Sequence, residues 1–266
     1  YRERRFDTGV NLGYKISNYS SFNYGVGFEY FNYLNRKKSF GIKKEFMDFN
    51  KDHKSNLYFK SSISHKSLDH YIFPTTGTYI NLSGKTSLQL TKNMFNFYNI
   101  NLELSKYIPI YSPDLVYKLG VNLKYINSWD RTPVPLQEYH SLGGEELRGF
   151  SDRGVNVSDN YLTVNKDIGG KFLYYISQDL IFPFIPSYIT SDIISGVRNS
   201  VFIDIGTVEN TLKYNTILKN TRCSVGYNLI WNTPLNFPIT VGLGYKVRSK
   251  PMDEWDGFFI NFKAKL

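Results

Sequence analysis

Apolar and polar residues alternate one for one along most of this chain. Val10, Leu12, Tyr14 and Ile16 interleave with Asn11, Gly13 and Lys15, and Phe22, Tyr24, Val26, Phe28 and Tyr30 with Asn23, Gly25, Gly27 and Glu29. A period of two puts successive side chains on opposite faces, so each run predicts a strand with one apolar and one polar face. The pattern returns at Leu57, Phe59 and Ile63, at Ile80 and Leu82, and at Ile100, Leu102 and Leu104. It returns again at Tyr117, Leu119, Val121, Leu123 and Tyr125, which oppose Lys118, Gly120, Asn122 and Lys124. After a long irregular stretch at about 128–168, strands are predicted at about 170–182, 197–208, 221–232, 238–248 and 257–266. The last three are the cleanest. Cys223, Val225, Tyr227, Leu229 and Trp231 share one face, as do Ile239, Val241, Leu243, Tyr245 and Val247, and as do Phe258, Ile260, Phe262, Ala264 and Leu266. Eleven strands result, with residues 39–47 either a twelfth or part of a loop.

The links between strands alternate in length. Turn-like links fall near 18–20, 68–77, 109–114, 184–196 and 233–237; longer ones fall near 33–54, 128–168, 209–220 and 249–256, and 89–96 joins the second set by parity. Short turns on one rim and long loops on the other are the habit of transmembrane β-barrels. A soluble antiparallel sandwich also alternates. Against it stand strands of about 10 to 13 residues, roughly twice the usual length, and aromatic residues grouped near strand ends, such as Phe28, Tyr30 and Phe31, Tyr125, and Trp231. So long a meander would also leave exposed edges that a barrel removes.

Composition agrees without deciding the matter. The 266 residues are 41% hydrophobic and include 22 Tyr and 20 Phe, which suits strands. A mean hydropathy of −0.35, with no apolar run of about 18 residues, excludes a spanning helix but not a barrel, whose lipid-facing positions alternate with polar ones. The formal net charge of +9 raises the question of nucleic acid. Lys and Arg are scattered with no basic block, so no nucleic-acid partner is expected, and a basic lumen or anionic lipid headgroups account for the charge. The single cysteine, Cys223, excludes an internal disulfide and a cysteine metal cluster. His53, His65, His70 and His140 show no metal spacing, and Asp52–His53 and Asp69–His70 are neighbours in sequence only. With no nucleophile placed beside a base, no catalytic site, cofactor, metal or small-molecule substrate is expected. The opening Tyr1-Arg2-Glu3-Arg4-Arg5 is no signal peptide and reads as the start of a mature or truncated fragment.

Within the long irregular stretch, Leu142 to Phe150 read Leu-Gly-Gly-Glu-Glu-Leu-Arg-Gly-Phe. An arginine between a hydrophobic residue and Gly-Phe, in a loop among amphipathic strands, resembles the (Val/Leu/Ile)-Arg-Gly-(Phe/Tyr) signature of the BamA superfamily. The order of further segments carries the same resemblance over nearly the whole chain. Leu68-Asp69 with Phe73-Pro74-Thr75-Thr76-Gly77-Thr78 precedes Asn81-Leu82-Ser83-Gly84-Lys85; then come Lys106-Tyr107-Ile108-Pro109-Ile110, the arginine loop, and Gly169-Gly170. Phe202-Ile203-Asp204-Ile205-Gly206-Thr207-Val208, Asn232-Thr233-Pro234-Leu235 and a terminal strand with Gly257 follow. Two departures are plain: Gly154-Val155-Asn156 stands where the family has Gly-Pro, and the final residue is Leu266 where the family has Phe or Trp.

The resemblance implies an all-β transmembrane antiparallel barrel of 16 strands, of which about the last eleven are seen. The chain would then be a C-terminal barrel domain, residues 1–266, with its arginine loop at 128–168, lacking N-terminal strands and periplasmic polypeptide-transport-associated domains. It implies that Leu147, Arg148, Gly149 and Phe150 form a loop lock whose arginine meets acidic residues of the inner wall, here Asp179 and Asp204. Parity supports the second independently, since Asp204 shares the face of Ser200 and Gly206, opposite Val201, Ile203 and Ile205. Gly257, Phe258, Ile260, Phe262 and Leu266 would form the closing strand of a lateral seam, with Lys263 and Lys265 facing the lumen. The implied function is folding and insertion of β-barrel proteins into the outer membrane of a Gram-negative bacterium. Unfolded outer-membrane proteins would be the clients, and outer-membrane lipid or lipopolysaccharide and accessory assembly lipoproteins the partners. A two-partner secretion or translocation-assembly pore of the same superfamily, an organellar sorting-and-assembly barrel and a passive porin are the alternatives.

Overall fold

The computed structural model describes residues 3–33, 54–91, 94–130, 132, 134–157, 169–184, 196–233 and 237–262. Its strands are β1 (Glu3–Lys15), β2 (Ser20–Tyr33), β3 (Lys54–Lys66), β4 (Gly77–Leu88), β5 (Phe97–Ile110), β6 (Ser112–Ser128), β7 (Phe172–Pro183), β8 (Val197–Glu209), β9 (Arg222–Asn232), β10 (Pro238–Arg248) and β11 (Phe258–Phe262). They form one sheet in sequence order, each antiparallel to the next, with β1 and β11 at its two edges among the described residues. The expected strand at 39–47 lies outside the described residues, as do Lys263, Ala264, Lys265 and Leu266.

Alternation along each strand becomes a division between two surfaces. Val10, Leu82, Ile100, Val201, Leu243 and Ile260 are exposed on the outward one. Glu29, Asn56, Asn99, Asp179, Asp204 and Asn228 are buried on the inward one. A face of Val, Leu, Ile, Phe and Tyr left open to the surroundings, over polar residues that are buried, inverts the soluble arrangement and matches a barrel wall in lipid. The segment between β6 and β7 folds back along the inward face. It contacts β4 through Glu138 and Lys85, β8 through Arg148 and Asp204, and β10 through Gly149 and Gly244. One loop can reach β4 and β10 together only because the sheet curls around it.

Two aromatic–glycine pairings hold the last strands in register. Phe202 lies opposite Gly226, and Phe259 opposite Gly242; each ring occupies the space that a Cβ on the facing glycine would take. The two rings meet edge to face at 6.3 Å, a favoured geometry for their quadrupoles. Because the side-chain period is two, a slip of one residue would drive both rings into the outward face.

Details of two links differ from the sequence-based expectation. The β5–β6 link reduces to Tyr111, in the left-handed region at φ 62°, because β5 continues to Ile110 across a bulge at Pro109. The β8–β9 link holds a short helix, α1 (Tyr214–Asn220), which lacks a side-chain N-cap and is too short to show a period. Its last turn is held from outside itself. A bulge between Lys246 and Arg248 turns Arg248 to donate to the carbonyls of Leu218 (3.2 Å) and Lys219 (3.0 Å).

Opposite substitutions at adjacent positions of β6 check the division of faces. Leu123→Arg, on the outward face, is expected to lower the unfolding free energy by roughly 2 to 4 kcal/mol at mid-depth in a bilayer. Asn122→Arg, paired across the strands with Glu103, is expected to change it by less than about 1 kcal/mol. Denaturant unfolding in lipid vesicles, read by tryptophan fluorescence, measures both. Equal losses would contradict the assignment of faces.

Candidate functional site

The motif loop builds a small apolar core before it presents any charge. Leu142, Leu147, Phe150 and Val155 of the loop pack with Leu173 of β7 and Val208 of β8, all buried, with Val157 and Tyr175 against them. Backbone bonds close the loop on itself, Gly144 donating to Phe150 (3.0 Å) and Val155 to Leu142 (3.1 Å). Its base is closed by reciprocal bonds between His140 and Gly170, at 2.9 and 2.7 Å.

That core aims Arg148 at the wall. Its Nε and Nη2 donate to the two oxygens of Asp204, each at 2.7 Å, a fork-to-carboxylate pairing. Nη1 donates to Asp179 at 2.7 Å and Nη2 also to Ser177 Oγ at 2.8 Å. The Arg148 backbone N–H adds a bond to Asp204 at 3.1 Å. The carboxylates are themselves held, since Ser177 and Ser200 donate to Asp179 at 3.1 and 2.9 Å. The guanidinium carbon lies 3.8 Å from the centre of the Phe202 ring, so one face of the cation rests on an aromatic surface. Lys118, in register with Asp179 on β6, lines the same inward cavity of about 260 Å³ as Arg148 and Asp179. Burial alone would lower the Arg148 pKa; the bond to Asp204 and the charges of Asp179 and Asp204 outweigh it and raise it above the ordinary arginine value. Arg148 is therefore a permanent cation, and removing either partner would leave a buried charge uncompensated, at a cost of about 3 to 5 kcal/mol.

The residue after the arginine is where the backbones touch. Gly149 has φ 89°, and a Cβ there would meet the Gly244 backbone at 3.2 Å; one on Gly244 would come within 2.7 Å of Gly149 Cα. Both positions exclude side chains for the same reason. Phe150 then pairs by a backbone bridge with Trp255 in the β10–β11 link. Thus Leu147, Arg148, Gly149, Phe150, Asp179 and Asp204 converge. The Gly257 carbonyl accepts from Gly244 N–H at 2.9 Å, just ahead of β11, while Phe258, Ile260 and Phe262 are exposed on the outward face, away from the cluster.

Other participants carried weaker sequence signals. Ser177 shares the parity of Asp179, and Phe202 and Ser200 that of Asp204, so a search by face would have found them. Glu138 could not be found that way. It accepts from Lys85 at 2.6 Å, and Lys85 also donates to the buried Glu29 at 3.0 Å, which ties the loop to β4 and β2. Lys124 of β6 and Glu146 of the loop pair at 2.5 Å. The Leu68–Thr78 turn has a local logic of its own. Asp69 accepts from Thr75 N–H (2.9 Å), Thr76 N–H (3.1 Å) and Thr75 Oγ1 (2.6 Å). Slight burial pushes that carboxyl up, but these donors outweigh it and hold it below the usual carboxylate range.

Among the described histidines, His65 bonds Ser20 Oγ at 2.9 Å and His70 accepts from the N–H groups of Ile72 and Phe73, at 3.2 and 3.1 Å. His140 is different. Burial, with the nearby charge of Lys124, pushes its imidazole down from 6.5 to about 4. The unfolded chain takes up this proton first as pH falls, so stability contributed by neutral His140 is complete above pH 6.5 and is lost progressively toward pH 4. Unfolding midpoints measured through that window are expected to fall less steeply for His140→Gln than for the parent chain; equal slopes would count against a buried neutral imidazole.

Comparison with known proteins places this geometry. The family model for the Omp85 superfamily domain matches residues 1–263. Among solved structures, BamA from Haemophilus ducreyi lacking POTRA domains 1–3 superposes with a TM-score of 0.83 at 24% identity. The match covers 97% of this chain and 53% of that one, so the chain spans about half the length of this solved relative. An eleven-stranded meander that superposes on that barrel, and a family model matched almost end to end, have one reading: the chain belongs to the Omp85 superfamily.

Proposed function

We propose that this chain is the C-terminal barrel domain of an outer-membrane assembly factor that folds and inserts other β-barrel proteins. The observation that carries the reading is Arg148, buried and shared between Asp179 and Asp204 at the end of a loop that crosses the inward face. A passive pore gains nothing from a loop pinned across its lumen by a charge cluster of this cost. Membership of the Omp85 superfamily and likeness of fold to BamA support the same reading.

Insertion in this scheme needs no bond chemistry. In lipid an unpaired strand edge has no water to satisfy its N–H and C=O groups, so an incoming strand gains a full ladder of hydrogen bonds by pairing with an exposed edge. The seam would lie beside β11, with Gly257, Phe258, Ile260, Phe262 and Leu266 on its closing side. Loop 128–168, held through Leu147, Arg148, Gly149 and Phe150, would fix the wall opposite the opening. Clients are unfolded outer-membrane proteins, and the surroundings are outer-membrane lipid or lipopolysaccharide with accessory assembly lipoproteins, in the outer membrane of a Gram-negative bacterium. The second reading, a secretion pore of the same superfamily, draws on the same family match.

Depletion of the protein in its native cell, followed by quantitative outer-membrane proteomics, separates the two. A general fall in unrelated barrels is expected; loss of one secreted protein with other barrels intact would move the assignment to a dedicated secretion pore. Arg148→Glu is expected to abolish assembly, since it sets three carboxylates together without their cation. Wild-type growth and assembly in that variant would refute the locked-loop reading.

A further inference from the structure

A second arginine is more completely buried than the first. Arg222, at the start of β9, is 1% exposed, and its five N–H donors are all taken. Nε and Nη2 grip the two oxygens of Asp253, each at 3.0 Å. Nη2 also donates to the carbonyl of Asn156 at 2.6 Å, and Nη1 to Thr207 Oγ1 (3.0 Å) and the carbonyl of Asn220 (2.6 Å). Glu209 of β8, also buried, lies 3.7 Å from Nη1, so a single cation stands between two carboxylates.

Beside Thr207 and Glu209 of β8, the partners come from three different links. Asn156 belongs to the motif loop, Asn220 ends α1 in the β8–β9 link, and Asp253 lies in the β10–β11 link. Asp253 is further fixed by the N–H groups of Asn156 (2.9 Å) and Lys250 (2.6 Å). From there the β10–β11 link runs beside the motif loop as a short ladder. Ser151 N–H donates to Glu254 (3.1 Å), Glu254 N–H to Gly154 (2.8 Å), and Asp256 N–H to Gly149 (3.2 Å). The ladder ends where β11 begins.

Beyond that entry, β11 is placed by β10 and by the Phe259 ring, which fills the space over Gly242 and meets Phe202. Its described residues make five register pairs, Phe258 to Phe262 against Leu243 to Ile239, with β10 alone. Among the described residues its ladder is short and β10 is its one strand neighbour, so the anchoring of its entry bears directly on its placement.

We infer that Arg222 is a positioning residue for β11: by clamping Asp253 to the motif loop, it couples the loop held by Arg148 to the strand on the closing side of the seam. Two arginines then act in series, Arg148 fixing the loop to β7 and β8 and Arg222 fixing the β10–β11 link to that loop. The geometry stands on its own, while its meaning for insertion rests on the function proposed above.

Hydrogen exchange by mass spectrometry on the full chain in lipid nanodiscs tests the coupling. Asp253→Asn preserves shape and removes the charge that Arg222 grips; Arg222→Gln removes the cation. Because Arg222→Gln leaves two buried carboxylates together and can fail to fold, Asp253→Asn is the deciding variant. Amides of residues 249–262 are expected to exchange about tenfold faster or more in Asp253→Asn, in line with the loss of charge-assisted bonds, while β7 and β8 keep the parent rates. Unchanged exchange across 249–262 would overturn the inference. So would a uniform rise that includes β7 and β8, because Arg222 would then be a residue of general stability. Client assembly in the same nanodiscs separates the two claims: a localised rise in exchange with undiminished assembly leaves the coupling in place and counts against the seam mechanism.

Discussion

The structure depends on one constraint, that each strand must satisfy its backbone through its neighbours while showing two chemically opposite faces. In lipid the outward face must be apolar and the ladder unbroken. The inward face is thereby free to be polar, and it is. Once Glu29, Asp179, Asp204 and Arg222 are buried there, their charges need partners that the sheet supplies only in part. The β10–β11 link supplies Asp253 to Arg222, and the loop between β6 and β7 supplies Arg148 to the two aspartates. Its fold is in this sense a response to the wall's charges as much as to its own sequence.

Three of the charged stations that hold that loop differ in kind. At the first, Glu138 meets Lys85, which also serves Glu29, so the loop enters through a chain of alternating charges. At the second, Arg148 divides its donors between Asp204 and Asp179 while stacking on Phe202. At the third, the loop offers only the backbone of Asn156, and the charges come from Arg222 and Asp253. Arginine at both of the deeper stations follows from its geometry. Five donors in a planar fork can satisfy several acceptors at once, and lysine's ammonium cannot reproduce that fork. Between the stations, Gly149 against Gly244 lets two backbones approach to a distance that any side chain would forbid.

Much of the strand architecture was legible because a period of two is a local property. Each alternating run carries its own faces, and antiparallel order follows from short links between consecutive strands. Asp204 could be placed on the inward face from Val201, Ile203 and Ile205 alone, and the Leu-Arg-Gly-Phe segment marked its loop through resemblance to a family. Other features left no local trace. Helix α1 is held by Arg248, 29 and 30 residues beyond the two carbonyls it meets, and by a bulge that no pattern announces. Arg222 and Asp253 are 31 residues apart, and neither differs in sequence from an ordinary charged residue at a strand end or in a link.

The sequence by itself determined which residues face lipid and which face inward, because alternation is written residue by residue and the bilayer tolerates only one sense of it. Tertiary structure decided which inward charges meet, and of these pairings only that of Arg148 with Asp179 and Asp204 was expected beforehand, through resemblance. Pairing across the barrel depends on how tightly the sheet curls and how far a loop reaches, and those are properties of the whole meander. Arg148 therefore finds Asp179 and Asp204, and Arg222 finds Asp253, only once the strands between them have closed the distance.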